Sequence, residues 1–281
     1  MGGPAIPVEV RGEVTAMYQA GYPGWKVAKK FSVGTGSVFR VLREQGGLSR
    51  GRLGGFPTYH YNSDCFSSID TEEKAYWLGF IAADGCVSVQ PRRKVLSIAV
   101  AAQDQAHLRK IESFLGMDVY VKLSRSLGKR QDYVRISMYS SKVVDDLVGL
   151  GITPRKSLTL SWPDLTPSLY PHFIRGYNDG DGCFYRYGAR RGRSYIGVQI
   201  ACSIPFAGAC VNYLYGVGHD GWRIVRRGNI CVLTLNQQMK VWAFVNYLYQ
   251  NSSLFLERKR AIVEHFIGRS CPLDRRKTNV F

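Results

Sequence analysis

Along residues 1 to 47, apolar positions recur at helical spacing in three short blocks. Glu13 to Ala20 forms the first and stops at Gly21. Trp25 to Phe31 forms the second, with Val27, Ala28 and Phe31 on one face. Thr35 to Leu42 forms the third, with Val38, Val41 and Leu42 aligned and Gly46-Gly47 as its stop. Ser32-Val33-Gly34 supplies a tight turn before the third block, and Thr35 can cap it. Three short helices with such a turn predict a helix-turn-helix domain over residues 1–47, with Ser37, Arg40 and Arg43 toward solvent. Residues 48–68 carry Gly, Ser, Arg, Pro and Tyr without a period, which predicts a linker.

From residue 69 the pattern changes, and then repeats. Residues 76–86 read YWLGFIAADGC and residues 173–183 read FIRGYNDGDGC, so Gly79 matches Gly176, Asp84 matches Asp181, Gly85 matches Gly182 and Cys86 matches Cys183. After each copy the period drops from helical to two, as expected of strands. The first copy predicts strands over 86–90 and 95–101, a helix over 105–115, strands over 118–125 and 133–138, and a helix over 142–150. The second predicts strands over 183–187 and 195–202, a helix over 205–215, strands over 222–226 and 230–235, and helices over 239–249 and 254–266. An internal repeat of this kind implies two pseudo-symmetric copies of one unit, here residues 69–160 and 161–281. The fold class is therefore α+β.

Composition narrows the partner. The chain is 45% hydrophobic with a formal net charge of +17, so it has a real core and a field that attracts polyanions. No stretch approaches the roughly 18 apolar residues of a membrane span, and the N-terminus lacks the apolar core of a signal peptide. The expected location is cytoplasmic or nucleoid-associated, neither secreted nor membranous. Seven cysteines without a C-x-x-C pair and five scattered histidines exclude ordinary zinc spacing. No phosphate-binding P-loop is present.

The repeated segment has its own physical logic. Gly79 and Ala83, like Gly176 and Gly180, leave a flat stripe on which two helix backbones can meet closely. Each helix then ends in Asp-Gly, and the glycine is expected to take a left-handed exit. The pairing delivers Asp84 and Asp181 side by side at helix C-termini, where two carboxylates repel each other unless a cation intervenes. Oxygen ligands and a phosphate substrate point to Mg²⁺, with Mn²⁺ as the substitute.

These two segments, Trp77 to Gly85 and Ile174 to Gly182, resemble the paired signature of the LAGLIDADG homing endonucleases. The resemblance covers residues 69 to 281. It implies two αββαββα units in one chain, each laying a four-stranded antiparallel sheet in a DNA major groove. It further implies metal ligation by Asp84 and Asp181. The first aspartate of the signature is Asp179 in the second copy but Ala82 in the first, and Asp179 is expected to be a polar helix-end residue. Lys156 and Lys259 look like the catalytic lysines of related enzymes. Gln103, Asp104 and Ser203 match a polar position at the end of the second strand.

Strand alternation nominates a DNA face: Tyr133, Arg135 and Lys122 in the first unit, and Tyr185, Gln199 and Arg223 in the second. Basic hairpin tips add Arg92, Arg93 and Lys94, then Arg190, Arg191 and Arg193, with Arg226 beyond them. The function implied is site-specific cleavage of double-stranded DNA, as in intron homing, by a monomer. Two alternatives are a maturase acting on host intron RNA and a non-cleaving DNA-binding regulator.

Overall fold

The computed structural model describes residues 6–20, 22–45, 61–91, 93–117, 122–124, 132–190 and 193–270. The chain divides into two units: residues 1–62 with 112–119, and residues 63–111 with 120–281.

The first unit holds three short helices, α1 (Arg11–Gln19), α2 (Gly24–Lys30) and α3 (Thr35–Glu44). Val27, Ala28, Val38, Val41 and Leu42 are buried together, as their spacing predicts, and Ile6, Val14 and Tyr18 complete the cluster. Ser32 turns the chain between α2 and α3 with φ 53°. Arg40 and Arg43 are exposed on α3, but Ser37 is buried against the cluster rather than facing solvent.

The second unit contains both repeats apart from residues 112–119. The first runs α4 (Glu72–Asp84), β1 (Gly85–Gln90), β2 (Arg93–Ala101), α5 (Gln105–Phe114), β3 (Lys122–Ser124), β4 (Tyr133–Tyr139) and α6 (Ser141–Gly149). The second runs α7 (Tyr170–Asp181), β5 (Gly182–Arg190), β6 (Arg193–Ser203), α8 (Ile204–Gly216), β7 (Arg223–Arg227), β8 (Ile230–Leu235), α9 (Gln238–Tyr249) and α10 (Glu257–Ser270). Each repeat builds one four-stranded antiparallel sheet, ordered β1-β2-β4-β3 and β5-β6-β8-β7. The registers match as well. Gly85 sits opposite Ile98, and Gly182 opposite Ile200. The end of the stretch expected to be a linker is packed, since Cys65 and Phe66 are buried.

In both sheets one face is apolar and buried. Leu96, Ile98, Val100, Val134, Ile136 and Met138 line it in the first, and Val198, Ile200, Leu233 and Leu235 in the second. This alternation is what a half-covered antiparallel sheet requires. The helices α4 and α7 differ from an ordinary amphipathic helix. Residues Ala75 to Ala82 of α4 and Phe173 to Asp179 of α7 are buried without a solvent stripe, because these two helices pack on each other as well as on the sheets.

Candidate active site and nucleic-acid face

The helix contact is set by the absence of side chains. A Cβ placed on Gly79 would lie 2.0 Å from the Phe173 carbonyl oxygen, and one on Gly176 would lie 2.0 Å from the Tyr76 carbonyl oxygen. Phe173 and Tyr76 are themselves equivalent positions of the repeat, so the contact is reciprocal about a pseudo-twofold axis. One turn on, a Cβ on Gly180 would lie 2.3 Å from the Ala83 Cβ. All four expected packing positions are therefore at the crossing.

Both helices then turn straight into a strand. Gly85 and Gly182 are extended, with φ −73° and −88°, and not left-handed as expected from a glycine helix stop. Their requirement is steric. A Cβ on Gly85 would meet the Ile81 carbonyl at 2.6 Å, and one on Gly182 would meet the Asn178 carbonyl at 2.5 Å. The sharp exit leaves Asp84 and Asp181 at the ends of the paired helices, both with exposed surface. Protein crowds their remaining sides. Burial, then the charge of Asp181, pushes the Asp84 carboxyl up to about 6, and burial also raises Asp181. The repulsion belongs to the pair and not to Asp84 alone.

Lys156 and Lys259 each hold the end of the motif helix of their own repeat. Lys156 Nζ donates to the Ala83 carbonyl at 2.9 Å. Lys259 Nζ donates to the carbonyls of Asn178 and Asp179, both at 2.7 Å, and of Gly182 at 2.6 Å. A cation at the free carbonyls of a helix C-terminus is favourable. Burial pulls both ammonium groups below the usual lysine range, and the nearby aspartates pull them back up.

Asp179 stands near the end of α7, as expected of a polar helix-end residue, but it is buried there. It is fully buried and accepts from Tyr76 Oη at 2.7 Å and from the Leu256 amide at 2.8 Å. Burial pushes its carboxyl up to about 6 despite these bonds. Tyr76 has one proton, so the 3.0 Å contact between its oxygen and His107 Nε2 requires Nε2 to donate. His107 Nδ1 is then an acceptor with no partner among the described residues, and burial holds this ring down to about 3.

Arg175 carries no exposed surface, and nothing in the sequence marks its role in advance. Its Nε donates to the Leu254 carbonyl at 2.8 Å, Nη1 to the Leu248 carbonyl at 2.7 Å and Nη2 to Glu72 at 2.7 Å, tying α7 to α9 and to the start of α4. Asp104, nominated as a strand-end residue, pairs with Arg258 at 3.0 Å. Ser203 ends β6, as expected, and caps α8 through the Phe206 amide. No feature beyond position distinguishes Gln103, which is exposed.

Register decides which basic residues share the uncovered face of each sheet. Arg93, Tyr133 and Arg135 do, and Arg93 lies over the Tyr139 ring at 4.5 Å. Lys94 does not. It falls on the same side of β2 as Leu96 and bonds Asp145 of α6 at 2.7 Å, because odd and even positions of a strand take opposite faces. On the second sheet Tyr185, Gln199 and Arg223 share the uncovered face with Cys183 and Thr234. Arg226 pairs opposite buried Cys231, so Arg227 takes the place expected of it. Arg92 and Arg191 lie outside the described residues, and Lys122, Arg190 and Arg193 are placed by backbone alone.

The same face shows one feature the sequence does not announce. Tyr185 Oη donates to Asn236 Oδ1 at 2.5 Å, and Tyr187 Oη donates to the Asn236 carbonyl. The rings of Tyr185, Tyr187 and Tyr195 follow one another at 5.9 and 5.7 Å. A Cβ on Gly197 would lie 2.5 Å from the Tyr185 ring, so that glycine makes room for it.

Among the described residues no cluster of three or more histidine, cysteine or acidic side chains is placed to hold a metal. Likewise no helix there is long and apolar enough to cross a membrane.

No protein family description matches the chain, and no curated protein matches it by sequence. Solved structures do match by shape. The crystal structure of the LAGLIDADG homing endonuclease I-GzeII with its DNA target is 10% identical, with 72% of this chain and 91% of that one covered at a TM-score of 0.50. The LAGLIDADG homing endonuclease I-LtrWI bound to target DNA is 12% identical, with 78% and 92% covered at a TM-score of 0.50.

Proposed function

We propose that this chain, which has the fold of the LAGLIDADG homing endonucleases, cleaves double-stranded DNA at a specific site. The observation that carries the reading is the pairing of Asp84 and Asp181 at the ends of two helices locked backbone to backbone. Two carboxylates held together, both with raised pKa, are costly unless something positive lies between them. Mg²⁺ or Mn²⁺ fits this donor set, because Mg²⁺ is commonly held by one or two carboxylates and completed by substrate phosphate and water. When bound, such an ion would supply Lewis-acid polarisation of the scissile phosphate. Asp84 and Asp181 would hold it, one carboxylate from each repeat.

The remaining groups support the same chemistry. Lys156 and Lys259 fix the helix ends so that the aspartates face outward, and their positive charge lowers the cost of ionising both carboxyls. They would also place positive charge beside the phosphate that is attacked, where negative charge builds as the sugar oxygen leaves. The uncovered sheet faces would meet base edges in the major groove through Arg93, Tyr133 and Arg135 on one side and Tyr185, Gln199, Asn236 and Arg223 on the other. The three-helix unit would extend the contacted site through Arg40 and Arg43 as a helix-turn-helix domain.

The test is a plasmid library carrying candidate targets, incubated with the protein in Mg²⁺ or in EDTA, beside Asp84→Asn and Asp181→Asn. Metal-dependent double-strand cutting at one long site, lost in both variants with at most a single-strand nick remaining, is the expected result. Binding without cutting under every divalent ion would overturn the reading and direct attention to intron RNA as the ligand.

A further inference from the structure

The two repeats agree closely, yet one local difference breaks their symmetry beside Asp84. In the second repeat β6 ends at Ser203 and α8 begins at Ile204, with nothing between them. In the first, the equivalent residues Ala102–Asp104 form a 3-10 turn between β2 and α5, and Asp104 stands where the second repeat has Phe206. That turn carries Asp104, which is buried and bonds Arg258 Nε through both of its oxygens at 3.0 Å. Arg258 comes from the other repeat, on the first turn of α10. Asp84, Asp104 and Arg258 all line one cavity of about 160 Å³.

Arg258 has unused capacity. Asp104 occupies Nε alone. The two terminal nitrogens bond no other described residue, and the side chain remains about half exposed. An arginine oriented by a buried carboxylate and left with a free fork is built to take two oxygens of an anion. The equivalent residue of the first repeat is Arg155, which precedes Lys156 as Arg258 precedes Lys259. Arg155 is exposed, sits at φ 60° and has no carboxylate partner among the described residues. The fork is therefore present beside Asp84 and has no counterpart beside Asp181 among the described residues.

We propose that Arg258, positioned by Asp104, binds a phosphate of the DNA backbone at the Asp84 side of the site only, so that the two strands are cut by non-equivalent centres. The strand-cutting half of this inference rests on the proposed endonuclease activity; the phosphate contact does not. One half of the site thus borrows an arginine from the other repeat, and among the described residues no arginine–carboxylate pair is given in return.

The experiment uses the full chain with Arg258→Gln, Arg258→Lys, Asp104→Asn and Arg155→Gln. Binding to the target duplex is measured in EDTA across a series of salt concentrations. Cleavage of each strand is followed separately with end-labelled duplex and Mg²⁺, and Asp84→Asn identifies the strand served by Asp84. Arg258→Gln is expected to reduce the salt slope by about one phosphate contact. It should also slow the Asp84-side strand about ten-fold or more relative to the other strand, with nicked product accumulating. Asp104→Asn should move both readouts the same way, Arg258→Lys should restore the slope but not the strand rate, and Arg155→Gln should change neither. An unchanged salt slope in Arg258→Gln, or equal slowing of both strands, overturns the inference. Should the wild type bind and never cut, the endonuclease reading fails, and the salt slope alone decides for or against the phosphate contact.

Discussion

Asp84 illustrates how a single side chain can work against the fold that presents it. Burial and the neighbouring Asp181 charge push its carboxyl up to about 6 from the ordinary 3.8. A proton held more tightly in the folded state contributes stability that is complete below the ordinary value and is lost as pH rises through the folded one. The metal-free protein therefore carries its largest strain above about pH 6. Asp84→Asn should melt at a higher temperature than the wild type in EDTA at about pH 7.5, with the gap closing toward about pH 4. A lower melting temperature for the variant at neutral pH would contradict this account. His107 runs in the opposite sense. Held down to about 3, it costs stability as pH falls below its ordinary 6.5, but it does so in wild type and variant alike. Asn178 is a second strained residue. Its amide is buried with neither polar atom bonded to a described residue, whereas the equivalent position of the first repeat is the apolar Ile81. Copying the first repeat, Asn178→Ile should stabilise by roughly 1–3 kcal/mol in urea unfolding, the usual cost of an unsatisfied buried group.

At the level of elements, the pairing of α4 and α7 is the sharpest constraint. Gly79→Ala drives a methyl toward a backbone carbonyl that cannot step aside, so its cost should reach or exceed the roughly 1–3 kcal/mol of an ordinary overpacked site. A methyl added at Gly208 on α8 would meet nothing within 4 Å, and Gly208→Ala should instead gain roughly 0.5–1 kcal/mol of helix propensity. Urea titration of both variants checks the contrast; equal effects would mean the helix crossing is loose. The sequence exposes this element well because the repeat itself aligns the glycines with the aspartates. It hides elements whose partners are distant in the chain. Arg175 meets Glu72 and the end of α9, Asp104 meets Arg258, and Asn236 meets Tyr185 across separations that periodicity does not register. Lys94 and Arg226 depart from the expected face because hairpin tips and edge strands attract notice by charge, while facing is decided by strand parity. The glycine exits depart for a related reason. Asp-Gly after a helix usually signals a left-handed turn, and here the strand begins at once.

For the molecule as a whole, the net charge of +17 and the basic sheet faces predict binding that falls steeply with salt. Removing residues 1–47 should weaken target binding in a filter or fluorescence assay while leaving the cleavage rate at saturating protein within a few-fold of the full chain. Loss of cleavage even at saturation would give the three-helix unit a role beyond added contact. The α+β class and the paired sheets are readable from the repeat because period-two segments follow each motif in the same order.

The crossing of α4 and α7 has one more consequence. What each repeat demands of its partner there is mostly emptiness, two bare backbones in reciprocal contact at Gly79 and Gly176. Emptiness carries little address. A repeat taken from another chain with the same bare stripe should dock at this seam, and the polar ties outside it, Arg175 to Glu72 and Tyr76 to Asp179, would decide which grafts hold. On this account the two halves should exchange as modules, with compatibility set at these four side chains and the uncovered sheet faces left unchanged.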